Sequence, residues 1–198
     1  MPLMVDNIDT DQIIPARFLS VPRDRGYGDY CFHDLRIDGN GAEILSFPMN
    51  TSDYRKASII VGGRNFGCGS SREGAVYALM DRGIRAVLAP SFGDIFQQNA
   101  LVNGLVTVSL PVAVITEVWA RLGINPDKTI TLDIEGGRVQ ISDGFHSSFD
   151  MDPFRKYCIV EGIDEIDFTF CLIEKIDCYE KRNSSRSLSK NRDFIPGK

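Results

Sequence analysis

The sequence predicts an α/β fold with a parallel βαβαβ core and an added antiparallel hairpin, and three observations carry that prediction. A short apolar run at residues 57–61 is closed by two glycines, a helical pattern follows it, and the same alternation then repeats through residue 110. Ala57-Ser-Ile-Ile-Val61 is the length and composition of a buried parallel strand, and Ala75, Ala78, Leu79 and Arg82 then recur at helical spacing. The elements expected are a strand at 57–61, a helix at 71–81, a strand at 84–89, a helix at 92–101 and a strand at 105–110. Ser91 and Asp94 mark the start of the second helix with cap-and-acid spacing, and Asn103-Gly104 marks its end. Beyond it, residues 112–122 suit a short helix. Thr129 to Glu135 and Arg138 to Ser142 alternate apolar with polar residues about Gly136-Gly137, which predicts a half-exposed hairpin. A last helix is expected at 168–181. Residues 183–198, polar and unpatterned, are expected to be a disordered tail after a single domain at 1–182. The N-terminal third reads mostly as loop, and 17–30, rich in Arg, Asp, Gly and Pro, as a mobile one.

Residues 62–74 read GGRNFGCGSSREG, at the carboxyl end of the first core strand, where ligands of such sheets bind. A helix N-terminus there presents unpaired N–H groups and a dipole that favours an anion. Ser70, Ser71 and Arg72 add two hydroxyls and a planar cation, a set suited to a carboxylate. A competing reading makes Ser70 and Glu73 a capping box and the glycines ordinary turn residues. Two other glycine signatures are excluded. Arg72 stands where a dinucleotide fingerprint needs its third glycine, and no lysine follows Gly69 as a P-loop requires.

Composition narrows the partners. The chain has 198 residues, 43% hydrophobic and 25% charged, with a net charge of −5, which argues against nucleic acid. No stretch approaches the roughly 18 apolar residues of a membrane span, and the opening residues lack a signal-peptide pattern, so no membrane partner and a cytoplasmic location are expected. Five cysteines without a CxxC pair, and only His33 and His146, give little material for a metal site within the chain. Asp9 and Asp11 lack the remaining positions of a calcium loop and suit an Asx-turn.

Four blocks in order then carry a family resemblance: Asn7-Ile-Asp-Thr-Asp-Gln-Ile-Ile-Pro-Ala-Arg-Phe-Leu19, Arg64-Asn-Phe-Gly-Cys-Gly-Ser-Ser-Arg-Glu73, Ala89-Pro-Ser-Phe-Gly-Asp-Ile-Phe96 with Asn103-Gly-Leu105, and Phe154-Arg-Lys-Tyr-Cys158 followed by Gly162-Ile-Asp164. Over residues 3–182 the chain resembles the small subunits of 3-isopropylmalate dehydratase, in the aconitase superfamily. The resemblance implies a swivelling β/β/α domain of the aconitase C-terminal-domain type. It implies no cofactor on this chain, with an iron–sulfur cluster held by a separate large subunit as partner. The reaction implied is reversible dehydration that interconverts 2- and 3-isopropylmalate in leucine biosynthesis, on a small carboxylate substrate. It further implies that Ser70 is the catalytic serine, that Asp11 is an active-site aspartate, that Ser71 and Arg72 hold substrate carboxylate, and that Arg17 meets the variable arm. Gly74-Ala-Val-Tyr77 replaces the His-Ala-Pro-Trp frequent in the family, which leaves open a sibling hydro-lyase acting on another malate. A non-catalytic carboxylate-binding module is the third reading.

Overall fold

Ile60 and Val87 face one hydrophobic core while their neighbours Val61 and Leu88 face another, so the central sheet is covered on both sides. The computed structural model describes the backbone of residues 1–190 and the side chains of residues 1–183. Its elements fall into two compact units, divided after Gly162.

The first unit begins with β1 (Pro2–Leu3), α1 (Thr10–Ile13) and α2 (His33–Arg36). Then come β2 (Ile59–Gly62), α3 (Glu73–Asp81), β3 (Ala86–Ala89), α4 (Asp94–Val102) and β4 (Val106–Ser109). The four strands lie in the order β1-β2-β3-β4, all parallel, with Ile60 opposite Val87 and Val87 opposite Thr107. The expected βαβαβ core is therefore present, with every element starting one or two residues later than expected and two of them, β2 and α4, running one residue further. One core gathers the inward faces of α3 and α4, namely Ala75, Ala78, Leu79, Phe96 and Ala100, with Ile8, Ile13, Ile14 and Phe32 from the N-terminal third. That third, expected as loop, supplies much of this core. Its helices are too short to show a period, which is why the sequence pattern concealed them.

On the opposite face lies α5 (Val112–Ile124), whose Ile115, Val118 and Leu122 are buried at helical spacing. Trp119 donates from its indole nitrogen to the carbonyl of Val61 at 2.8 Å, fixing the helix to β2. The hairpin forms as β5 (Ile130–Asp133) and β6 (Arg138–Ile141), and a third strand, β7 (His146–Ser148), extends it into an antiparallel meander. Val139 and Ile141 close the second core. The unit ends with α6 (Pro153–Glu161), started by the Asp152 side chain and stopped by Gly162 at φ 68°.

The second unit holds α7 (Glu165–Phe170) and α8 (Ile173–Lys190), interrupted at residues 171–172 where one helix over 168–181 was expected. Residues 183–190, expected as tail, continue α8. They contain neither Pro nor Gly, and propagating an existing helix costs far less than starting one. The rest of that expected tail, 191–198, lies outside the described residues.

Candidate active site

The glycine-rich turn after β2 is stitched on both sides to other segments. On one side Gly67 N–H donates to Ile8 O at 2.7 Å, Thr10 N–H to Cys68 O at 2.8 Å and Asn7 N–H to Arg64 O at 2.8 Å. On the other, Phe66 N–H donates to Ser91 O at 3.0 Å and Asn65 N–H to Ser91 Oγ at 2.9 Å. Ser91 is thus a tie to the turn, and Gly93 stands at the N-cap of α4 without a side-chain bond. Close packing explains much of the glycine content. Gly67 has φ 74°, and a Cβ there would strike the Phe96 ring. The left-handed backbone costs an alanine about 1 kcal/mol and overpacking adds about 1–3 kcal/mol, so Gly67→Ala should destabilise by about 2–4 kcal/mol in chemical denaturation. A change under about 0.5 kcal/mol would contradict that packing account.

The turn delivers Ser70, Ser71 and Arg72 to the start of α3. The helix begins at Glu73 with Arg72 as N-cap and no side-chain capping bond, so the expected box between Ser70 and Glu73 does not form. Glu73 instead accepts from Asn103 Nδ2 at 2.9 Å, and that bond, followed by one from Tyr77, holds its carboxyl below the usual range. Ser70 and Ser71 are exposed, and their hydroxyls have no partner among the described residues. The same is true of the backbone N–H groups from Gly69 through Gly74, so six successive donors stand open at a helix N-terminus.

Asp11 and Arg72 come together across sixty-one positions, with Arg72 Nη1 donating to Asp11 Oδ1. The guanidinium is mostly covered and the carboxylate half exposed. Asp11 rides on α1, whose start is a capping box. Gln12 N–H donates to Asp9 Oδ1 at 2.7 Å, and Asp9 N–H to Gln12 Oε1 at 2.9 Å. Between them Thr10, only 1% exposed, donates from Oγ1 to Ser70 O at 3.1 Å. Nothing in its sequence context singled out Thr10, because a buried threonine and a turn-forming one look alike in a polar run.

Arg17 is held elsewhere. Its guanidinium binds both carboxylate oxygens of Asp34, touches His33 Nδ1 at 3.3 Å and lies 4.5 Å over the Phe18 ring, so the structure does not bring it to Asp11 and Arg72. The Arg17 hydrogen bond, with a smaller one from His33, pulls the Asp34 carboxyl down to about 2. A depressed folded-state value stabilises above the unfolded value of about 3.9 and is lost as pH falls through about 2. The gap in melting temperature between the parent and Asp34→Asn should therefore narrow from about pH 5 to about pH 2, and be small throughout because both groups are half exposed. An unchanged gap would contradict the assignment. The rest of 17–30 is wound into short 3-10 turns. Arg23 binds Asp81 through two bonds of 2.9 and 2.7 Å and lies 4.2 Å over Tyr77, while Tyr27 is buried with its hydroxyl over Gly74. A Cβ at Gly74 would come within 2.6 Å of that oxygen, so the glycine leaves room for Tyr27.

The cysteines do not converge. Cys31 and Cys158 are buried, Cys68 is half-buried, and Cys171 and Cys178 are exposed in the second unit. Burial pushes the Cys31 thiol up to about 12, which keeps it protonated and a poor ligand. Among the described residues no three His, Cys, Asp or Glu side chains gather about a point, so this donor set does not fit an iron–sulfur cluster.

Residues 1–113 match the aconitase C-terminal domain family. Over 181 residues the chain is 45% identical to the 3-isopropylmalate dehydratase small subunit of Rhodospirillum centenum, covering 91% of this chain and 89% of that protein. The chain belongs to the 3-isopropylmalate dehydratase small-subunit family. Its likeness to the Buchnera aphidicola (Pterocomma populeum) small subunit extends over 197 residues at 43% identity, covering 98% of this chain and 94% of that one. Among solved structures, a crystal structure of 3-isopropylmalate dehydratase from Methanocaldococcus jannaschii superposes with a TM-score of 0.62 at 26% identity, over 92% of this chain and 95% of that one. The small-subunit fold is thus the α/β aconitase C-terminal type, with a four-stranded parallel sheet and a separate three-stranded antiparallel one. No helix among the described residues is long and apolar enough to cross a membrane.

Proposed function

We propose that the chain is the small subunit of 3-isopropylmalate dehydratase, a cytoplasmic hydro-lyase of leucine biosynthesis that interconverts 2- and 3-isopropylmalate with a large subunit. The family relationship along nine-tenths of the chain carries this reading. An exposed serine pair beside a sheltered guanidinium and a row of open N–H donors supports it, since both malates are dicarboxylates. An iron–sulfur cluster held by the large subunit would supply the Lewis acidity for departure of the substrate hydroxyl.

Within this chain, Ser70 Oγ acts as the base that takes the proton from the substrate carbon and returns it on rehydration. A serine hydroxyl is far too weak an acid to serve unaided, and the open N–H groups at the start of α3, with Arg72 beside them, lower the cost of its oxyanion. Ser71 and Arg72 hold a substrate carboxylate, and Asp11 keeps the Arg72 fork in place from its other side.

Reconstitution tests the proposal. The purified chain should be inactive on both malates alone and gain isomerase activity only with the cluster-bearing large subunit of the same source. Turnover by the chain alone, or reconstituted activity confined to a differently substituted malate, would replace this function with another.

A further inference from the structure

We infer that Thr10 is a positioning residue for the reaction at Ser70, an inference that rests on Ser70 being the base. The Thr10 hydroxyl is buried and spends its proton on the Ser70 carbonyl at 3.1 Å. The Ser70–Ser71 peptide is trans, as are all peptide bonds described, so its C=O and N–H point in opposite directions. Pinning the carbonyl toward the buried threonine therefore turns the Ser71 N–H the other way, to the exposed side on which the serine side chains stand. That N–H has no acceptor among the described residues, as a donor awaiting an oxyanion should. The same bond fixes ψ of Ser70, which sets the plane of the peptide next to the catalytic Cα.

The neighbouring residues make the arrangement continuous. Asp9 pairs with Cys68 in a parallel bridge, Thr10 holds the Ser70 carbonyl and Asp11 holds Arg72, so three successive residues brace the turn from one side. Gly69 carries the chain past Thr10 at φ 96°, a left-handed backbone that favours glycine, and a Cβ there would lie in ordinary contact with Thr10 Oγ1 at 3.4 Å. The threonine's backbone is tied separately, through its N–H to Cys68 O at 2.8 Å, so losing the hydroxyl frees the Ser70 peptide without unlacing the two segments.

Thr10→Ser and Thr10→Ala lose the same methyl and differ only in the hydroxyl, which makes them the deciding pair in the reconstituted complex. Thr10→Ala should lower kcat about tenfold or more, with KM within about twofold, while Thr10→Ser should stay within about threefold of the parent. Melting temperatures of the two variants should differ by no more than the few degrees that one lost hydrogen bond of about 1 kcal/mol is worth. Equal kcat in the two variants would overturn the inference, as would a loss in Thr10→Ala that follows its melting temperature or falls on KM alone. Ser70→Ala, measured beside them, separates the premises. If it is inactive while Thr10→Ala is normal, only the role of Thr10 fails, whereas an active Ser70→Ala removes the proposed mechanism itself.

Discussion

Ser70→Ala should lower turnover of the reconstituted complex by roughly 10³-fold, the range for removing a positioned general base. Its stability should hardly change. A lost N-cap typically costs about 1 kcal/mol, but here the N-cap is Arg72, and the Ser70 side chain makes no bond that the helix would miss. The structure therefore sharpens the experiment, because the capping role that would have confounded it is absent. Steady-state kinetics and thermal unfolding of the same preparations decide it, with the large subunit unchanged throughout. Turnover within about tenfold of the parent would show that the proton is taken by another group.

The strand–turn–helix that carries Ser70 was legible because its signals are local: β-branched residues, then glycines, then apolar residues at helical spacing. What the pattern could not supply was the N-terminal segment's place. Ile8, Ile13, Ile14 and Phe32 are fully buried, yet they sit on helices of four residues or none, and they reach the core only because 6–10 runs beside the turn. The fate of hydroxyls was equally hidden. Ser91 stands at cap spacing and binds Asn65 instead, and Ser70 stands at box spacing while its hydroxyl has no partner among the described residues. In both cases a backbone donor or helix start displaced by two residues decided the outcome, and sequence cannot resolve such shifts. The motifs that carry the family resemblance hold Asp11 and Arg72 on separate segments, and the fold joins them. Arg17 was legible as a residue but not as a bound one, because its partner Asp34 lies seventeen positions away in a stretch with no period.

Arg72→Lys should cost about 2–4 kcal/mol in kcat/KM, roughly 30- to 1000-fold, with little change in unfolding. The guanidinium already gives Nη1 to Asp11, so a substrate carboxylate must be met by the remaining edge of the same plane. An ammonium keeps the charge but has no second edge held at a fixed angle, and its shorter reach leaves it either on Asp11 or on the substrate. The small folding effect follows from the half-exposed carboxylate, since such pairs contribute about 1 kcal/mol or less. Asp11→Asn should lower kcat/KM as well, by loosening the fork. If Asp11 acts through Arg72, the double variant should lose less than the sum of the two single losses, by about 0.5–3 kcal/mol. Additive losses would place Asp11 in a role independent of the guanidinium. An Arg72→Lys enzyme within about twofold of the parent would leave the carboxylate with the open N–H groups alone, and the arginine as a strut between α1 and α3.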